Sequence, residues 1–168
     1  MGILSDIRVR QPAKADLVGR QFTVAGIGTG FEATIGMRLL NRAGKVIATG
    51  FATSSGGMAL IGEFSTTLKV KNPPRAGTPV KLQVFGDNPG PGPGPGSDLR
   101  EVELIMFPDL MGYLLYRVEK GDTLTGIVRK ARDFGKTTVA QIVAANDQIK
   151  DPDLIQVGWK LRIPISSP

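Results

Sequence analysis

Apolar side chains occupy every second position in several runs of the first two thirds of the chain. This is the period of a β-strand with one buried face. The run from Phe31 to Leu39 shows it most clearly. Similar runs cover residues 7–9, 22–26, 46–50, 64–70, 80–84 and 102–106, with turn-forming segments between them. About seven short strands at this spacing predict an antiparallel β-sandwich over residues 1–107.

A tract of alternating proline and glycine interrupts this pattern at residues 86–98. Such a tract has no side chains to bury, and its prolines cannot donate to a strand ladder. It could link two domains, but residues 99–107 beyond it alternate again. We therefore expect a long surface loop inside the sandwich. The predicted junction is a short linker at residues 108–115, whose length implies restricted motion.

The last third of the chain changes to a helical period. Two groups of apolar residues have helical spacing: Leu124, Ile127, Val128 and Ala131, then Val139, Ile142, Val143 and Ala144. Short strands are predicted on either side, at residues 116–118 and 159–163. The predicted order over residues 116–168 is therefore β-α-α-β, a small α+β domain.

The helix ends carry residues that favour capping. A threonine hydroxyl can accept a hydrogen bond from a free amide of the first turn. Thr123 is therefore a predicted N-cap of the first helix, and Thr137 or Thr138 of the second. Gly135 and Asn146 are predicted to end the two helices.

Two motifs in this last third resemble a LysM domain. The first reads Tyr-Arg-Val-Glu-Lys-Gly-Asp-Thr-Leu at residues 116–124. The second reads Asp-Pro-Asp-Leu-Ile-Gln-Val-Gly at residues 151–158, followed by Lys-Leu-Arg-Ile-Pro at 160–164. With Ile127 and Asn146 between them, the resemblance covers residues 116–164. It implies binding of glycans that contain N-acetylglucosamine: peptidoglycan in bacteria, or a chitin-like glycan elsewhere.

The resemblance also implies which residues contact the sugar. In LysM domains the glycan lies in a shallow groove between the loop into the first helix and the loop into the last strand. The corresponding residues here are Gly121, Asp122, Thr123, Leu124, Thr125, Asp153, Leu154, Ile155, Gln156, Val157 and Gly158. Leu124 and Ile155 are expected to offer apolar surface to the N-acetyl methyl group. Trp159 is expected either to stack on sugar or to pack between the domains.

A second hypothesis for this domain stays open. The same motif residues also form a turn and a helix cap, and Thr125 stands where many LysM domains have tryptophan or another large residue. LysM-like folds also occur in phage tails and contractile injection systems. The chain could therefore be a structural adaptor in such an assembly, contacting protein subunits instead of glycan.

Residues 6–107 resemble the immunoglobulin-like domain of bacterial spore germination proteins. The resemblance rests on scattered positions, among them Val9, Pro12, Val18, Phe22, Gly26, Phe31, Glu32, Val46, Gly62, Phe64 and Val80. It implies a scaffold or adhesion module without catalytic activity. The expected architecture is an all-β immunoglobulin-like sandwich followed by a LysM domain.

The amino-acid composition excludes several kinds of functional site. The chain has neither cysteine nor histidine, which excludes disulfides, thiolate or imidazole zinc sites and a Ser-His-Asp triad. The net charge of +6 is spread along the chain. The densest basic run, at residues 129–132, contains no aromatic residue for a base to stack on, so we expect no nucleic-acid partner. No enzyme activity, metal or cofactor is predicted.

Two further patterns concern ligand binding and membrane insertion. The segment Gly26-Ile-Gly28-Thr-Gly30 lacks the spacing of a dinucleotide-binding loop. The initial apolar run stops at Leu4, and the stretch Leu110 to Tyr116 is far short of the ~20 residues that span a bilayer. We therefore expect no membrane insertion. The compartment stays open: the bacterial cell envelope if the chain is exported, or a cytoplasmic assembly otherwise.

Overall fold

The computed structural model describes residues 4–87 and 95–167, and its contacts divide the chain into two compact units. The sandwich unit comprises Met1–Asp16, Gln21–Pro73 and Pro79–Leu104. The C-terminal unit comprises Leu17–Arg20, Pro74–Thr78 and Ile105–Pro168.

Within the described residues, eight strands precede residue 110. They are β1 (Arg8–Gln11), β2 (Leu17–Val18), β3 (Gln21–Gly28), β4 (Thr34–Leu40), β5 (Val46–Thr53), β6 (Gly62–Lys69), β7 (Thr78–Gly86) and β8 (Arg100–Met106). One sheet has the order β1-β3-β6, and the other has the order β2-β8-β7-β4-β5. The predicted β-sandwich is confirmed. Strand β2 was not predicted, and it runs parallel to the end of β8, with Leu17 opposite Ile105.

The buried face of the larger sheet follows the alternation seen in the sequence. Ile35, Met37 and Leu39 of β4 are buried, as are Leu82 and Val84 of the neighbouring β7. Each such side chain contributes about 1.5–3 kcal/mol by leaving water. Period-two patterning therefore identified these core positions directly.

Gly26 and Gly28 lie inside strand β3, where they allow strand β1 to come close. A Cβ atom added at Gly26 would lie 2.1 Å from the carbonyl oxygen of Arg8. This is far closer than carbon and oxygen atoms approach each other without a bond. The glycine-rich segment therefore serves strand packing.

The first residues of the strand predicted at 31–39 form a turn instead. Phe31–Ala33 is one turn of 3-10 helix, in which Glu32 has φ of 50° and Ala33 has φ of 61°. Ala33 N donates to Gly30 O at 3.0 Å, and pairing with β5 begins only at Thr34. The apolar alternation continues through this turn, so the pattern alone placed the strand start too early.

The last third of the chain has the predicted β-α-α-β order. Its elements are β9 (Leu110–Arg117), α1 (Leu124–Lys130), α2 (Val139–Ala145) and β10 (Lys160–Ser166), and β9 pairs with β10 in antiparallel fashion. Both predicted N-caps are present. Thr123 Oγ1 accepts from Gly126 N, and Thr138 Oγ1 accepts from Gln141 N, each at 3.1 Å. No helix of the described residues is long and apolar enough to cross a membrane.

The two helices end differently. Asn146 ends α2, as predicted. Helix α1 ends at Lys130 and passes into a 3-10 turn at Ala131–Asp133, so Gly135 lies beyond its end. Gly135 has φ of 143°, and a Cβ there would lie 2.5 Å from Ser166 O. This glycine therefore lets the chain between the helices pass close to β10.

The core of the C-terminal unit lies between the helices and the two-stranded sheet. Its buried residues are Val118, Leu124, Ile127, Ala131, Ile142, Ile149, Leu161, Ile163 and Ile165. Trp159 is partly buried and packs against this cluster. Its fluorescence should therefore report on the folding of this unit.

Most of the segment predicted as a linker, residues 108–115, belongs to strand β9. The strand pairs with β10 from Arg117 opposite Lys160 to Leu110 opposite Ser166. Apolar residues fill both alternating sets of 110–116, so the sequence lacks the polar contrast of a half-buried strand. The proline-glycine tract connects β7, which ends at Gly86, to β8, which begins at Arg100; its residues 88–94 lie outside the described residues.

Candidate functional site

Two loops leave the β9-β10 sheet at the same end. The first loop, residues 119–123, follows β9 and leads into the first turn of α1, which holds Leu124 and Thr125. The second loop, residues 151–159, precedes β10. Val118 N donates to Trp159 O, and Gly158 N donates to Val118 O, each at 2.8 Å. These bonds continue the sheet past the strand ends. The structure thus brings both predicted sets of groove residues together.

The second loop is folded by its own hydrogen bonds. Leu154 N donates to Asp151 O at 3.1 Å, and Trp159 N donates to Gln156 O at 3.2 Å. The Asp151 side chain also accepts from Asp153 N at 2.9 Å. Two successive turns therefore present the side chains between them on a fixed backbone.

Among the predicted groove residues, Leu154 and Val157 supply the exposed apolar surface in place of Leu124 and Ile155. Leu124 begins α1 and is only 3% exposed in the core, so the expectation that it meets the sugar is wrong. Ile155 is partly buried against the same core. Leu154 and Val157 are 68% and 67% exposed. Leu154 and Val157 are large apolar residues in a turn-rich loop that has no hydrophobic periodicity. This was the sequence signal that they are exposed.

The polar groups of the site differ in whether they hold the first loop in place. Thr125 and Gln156 are exposed. Gly121 is exposed with φ of 88°, and nothing lies within 4 Å of a Cβ added there. Thr123, in contrast, uses its hydroxyl to cap α1. Thr123 is therefore a positioning residue in this arrangement.

Asp122 anchors the first loop through three hydrogen bonds. Its Oδ2 accepts from Tyr116 Oη and from Glu119 N, and its Oδ1 accepts from Lys130 Nζ, each at 2.8 Å. The Lys130 ammonium, the Glu119 amide and the Tyr116 hydroxyl together lower the pKa of Asp122 to about 2. The hydrogen bonds of Lys130 to Asp122 and to Tyr116 raise the pKa of Lys130. The side chain is only 7% exposed, so its carboxylate serves the fold.

This network predicts a specific sensitivity to acid. The pKa of Asp122 is about 2 in the folded chain and 3.8 without these partners. Ionised Asp122 therefore stabilises the fold above pH 3.8, and that contribution is lost as the pH falls towards 2. Urea unfolding followed by Trp159 fluorescence should show a midpoint that falls over this range. Asp122→Asn should start lower at neutral pH and fall less; an equal fall in both proteins would contradict the assignment.

The arrangement is that of a binding surface. It is formed by two short loops on a small βααβ scaffold, and it offers exposed apolar, hydroxyl and amide groups. The carboxylate of Asp122 and the ammonium group of Lys130 are hydrogen-bonded to each other. Within the described residues, no group of three or more acidic side chains is placed to hold a metal ion. Fold and site together define a modular binding protein.

Comparison with known families identifies both parts of the chain. The chain belongs to the family described as the immunoglobulin-like domain of bacterial spore germination, whose model matches residues 6–92, just over half of the 168 residues. The model of the LysM domain matches residues 116–164. Both predicted resemblances are confirmed. Both families are binding modules, and LysM domains in general bind glycans.

The remaining comparisons add little. No curated protein matches the chain. Among solved structures, the crystal structure of CopC from Methylosinus trichosporium OB3b is similar, with 16% identity and a TM-score of 0.36, covering 61% of this chain and 94% of that chain.

Proposed function

We propose that this protein binds peptidoglycan, a glycan that contains N-acetylglucosamine, through the two loops of its LysM domain and without catalysis. The observation that carries the proposal is the LysM match at residues 116–164, together with the adjacent position of its two motif-bearing loops. The immunoglobulin-like sandwich serves as a scaffold or adhesion module in this account.

The chemistry of the exposed groups suits an acetamido sugar. Leu154 and Val157 offer apolar surface to the N-acetyl methyl group and to a sugar face. The Thr125 hydroxyl and the Gln156 amide can donate to and accept from sugar hydroxyls. The groove also includes Asp153 and the backbone at Gly121 and Gly158. Asp122 and Thr123 hold the first loop in place, and Ile155 supports the second.

A titration monitored by nuclear magnetic resonance tests this proposal. An N-acetylglucosamine tetramer should shift the backbone amides of Gly121, Thr125, Leu154, Val157 and Gly158 in the 15N-labelled protein. A glucose tetramer with the same linkage lacks the acetamido groups and should shift them far less. Equal shifts with both sugars, or shifts confined to other residues, would contradict the proposed groove.

A further inference from the structure

Strand β9 has a free edge. It belongs to a two-stranded sheet and pairs with β10 on one side, while no other strand of the described residues pairs with its opposite side. The backbone groups of an unpaired edge can hydrogen-bond to a strand from another chain. The family match begins only at residue 116, so most of this strand lies outside the LysM homology.

The same strand exposes large apolar side chains. Met111, Tyr113 and Leu115 are each more than half exposed. They alternate along the strand and therefore share one face. Natural edge strands are commonly protected from pairing by lysine, proline or a short length. Strand β9 has eight residues and contains neither lysine nor proline.

We propose that β9 pairs with β9 of a second copy of this chain, antiparallel, with Tyr113 opposite Tyr113 of that copy. In this register Met111 lies opposite Leu115 of the second copy. The exposed Asp109 and Arg117 lie opposite each other at both ends. Directly opposite residues of an antiparallel pair share a face, so the apolar side chains of both copies form one continuous strip. Two two-stranded sheets thereby join into one sheet of four strands.

Alternative registers lack this complementarity. A shift by one residue would place outward-facing side chains opposite core-facing ones. A shift by two residues in one direction would place Met111 opposite Arg117 and Asp109 opposite Glu119, which joins an apolar residue to a charge and an acid to an acid. The Asp109 carboxylate forms one ion pair with Arg20, at 3.7 Å and with both side chains largely exposed. Such a pair contributes little and can yield to a closer one.

The paired strands would carry two LysM grooves in one particle. A single shallow sugar site is weak, and two linked sites bind a polymer far more strongly than one. This consequence rests on the proposed glycan function, whereas the dimer itself does not.

Charge exchange across the interface tests the dimer without any glycan. Asp109→Arg alone and Arg117→Asp alone each place like charges at both ends of the pair. Each variant should dimerise about tenfold more weakly than wild type in analytical ultracentrifugation of the full chain. An equimolar mixture of the two variants should recover wild-type affinity, because every mixed pair is again of opposite charge.

Two lysine variants distinguish an interface at β9 from an interface elsewhere on the chain. Tyr113→Lys places two lysines opposite each other and should give monomers, whereas Phe134→Lys, an exposed site outside β9, should leave the dimer intact. At protein concentrations where wild type is monomeric, Trp159 fluorescence should show unchanged unfolding of all variants, because dimerisation adds stability of its own. Wild-type protein that stays monomeric over the accessible concentrations overturns the proposal. So does a dimer that ignores both charge variants, or a mixture that shows no recovery.

Discussion

Replacement of Asn146 by alanine is expected to lower the free energy of unfolding of the C-terminal unit by about 2–4 kcal/mol. Asn146 is 3% exposed and joins α2 to β10. Its Nδ2 donates to Ile142 O and to Arg162 O, each at 2.7 Å, and its Oδ1 accepts from Arg162 N at 2.8 Å. The variant leaves these partly buried backbone groups without a partner, which costs more than the hydrogen bonds contributed.

Trp159 makes this effect measurable in a chain of two units. It is the only tryptophan of the sequence and packs against the core of the C-terminal unit, so its fluorescence follows that unit in urea. Gln148→Ala is the matched control, because Gln148 makes an exposed hydrogen bond to the same strand, from Nε2 to Lys160 O. The control should lose no more than about 0.5 kcal/mol. Similar losses in both variants would show that Asn146 does not hold α2 to β10.

The sequence predicted the helix ends correctly where they depend on hydrogen bonds between neighbouring residues. Thr123 and Thr138 cap helices because a hydroxyl just before an apolar helical repeat meets free amides. Asn146 was predicted to end α2 because asparagine often follows the last turn of a helix. Its bonds to Arg162, however, join segments far apart in the sequence, and no local pattern shows them.

Strand β9 shows where the pattern fails. Residues 110–116 are apolar on both alternating faces, although only one face covers the core and the other is exposed. A pattern of this kind indicates neither which face of the strand is buried nor the register in which the strand pairs. The pairing with β10, some fifty residues later in the chain, decides the structure of this segment.

The two sequence motifs predicted which loops form the candidate site, but not the role of each residue in it. The motifs identified both loops, and the hydrogen bonds of Val118 place the loops side by side. The motifs did not distinguish residues that support the loops from residues that face solvent. Leu124 is core, Asp122 is held by three partners, and Leu154 and Val157 provide the exposed apolar surface.

The double substitution Leu154→Asp with Val157→Asp is expected to reduce glycan binding at least tenfold while the fold is retained. Both side chains are about two-thirds exposed, so their replacement costs the core little. Aspartate removes the apolar contact with the N-acetyl methyl group and places charge where that group would lie. Titration calorimetry with N-acetylglucosamine oligomers measures the loss, and Trp159 fluorescence verifies the fold.

The control for this variant must carry the same charge. Phe134→Asp with Ala140→Asp changes two exposed residues outside both loops and lowers the net charge of +6 by the same two units. Any difference between the two double variants then reflects the site and not the attraction of a basic protein to an anionic polymer. Such non-specific attraction would also weaken with added salt.

Sedimentation of the protein with purified peptidoglycan sacculi tests the central claim most directly. Wild type and the Phe134→Asp, Ala140→Asp control should pellet with the sacculi, and the Leu154→Asp, Val157→Asp variant should remain in the supernatant. Wild-type protein that stays in the supernatant while folded would contradict peptidoglycan binding and favour a LysM domain that contacts protein. Equal retention of both double variants would contradict the proposed groove.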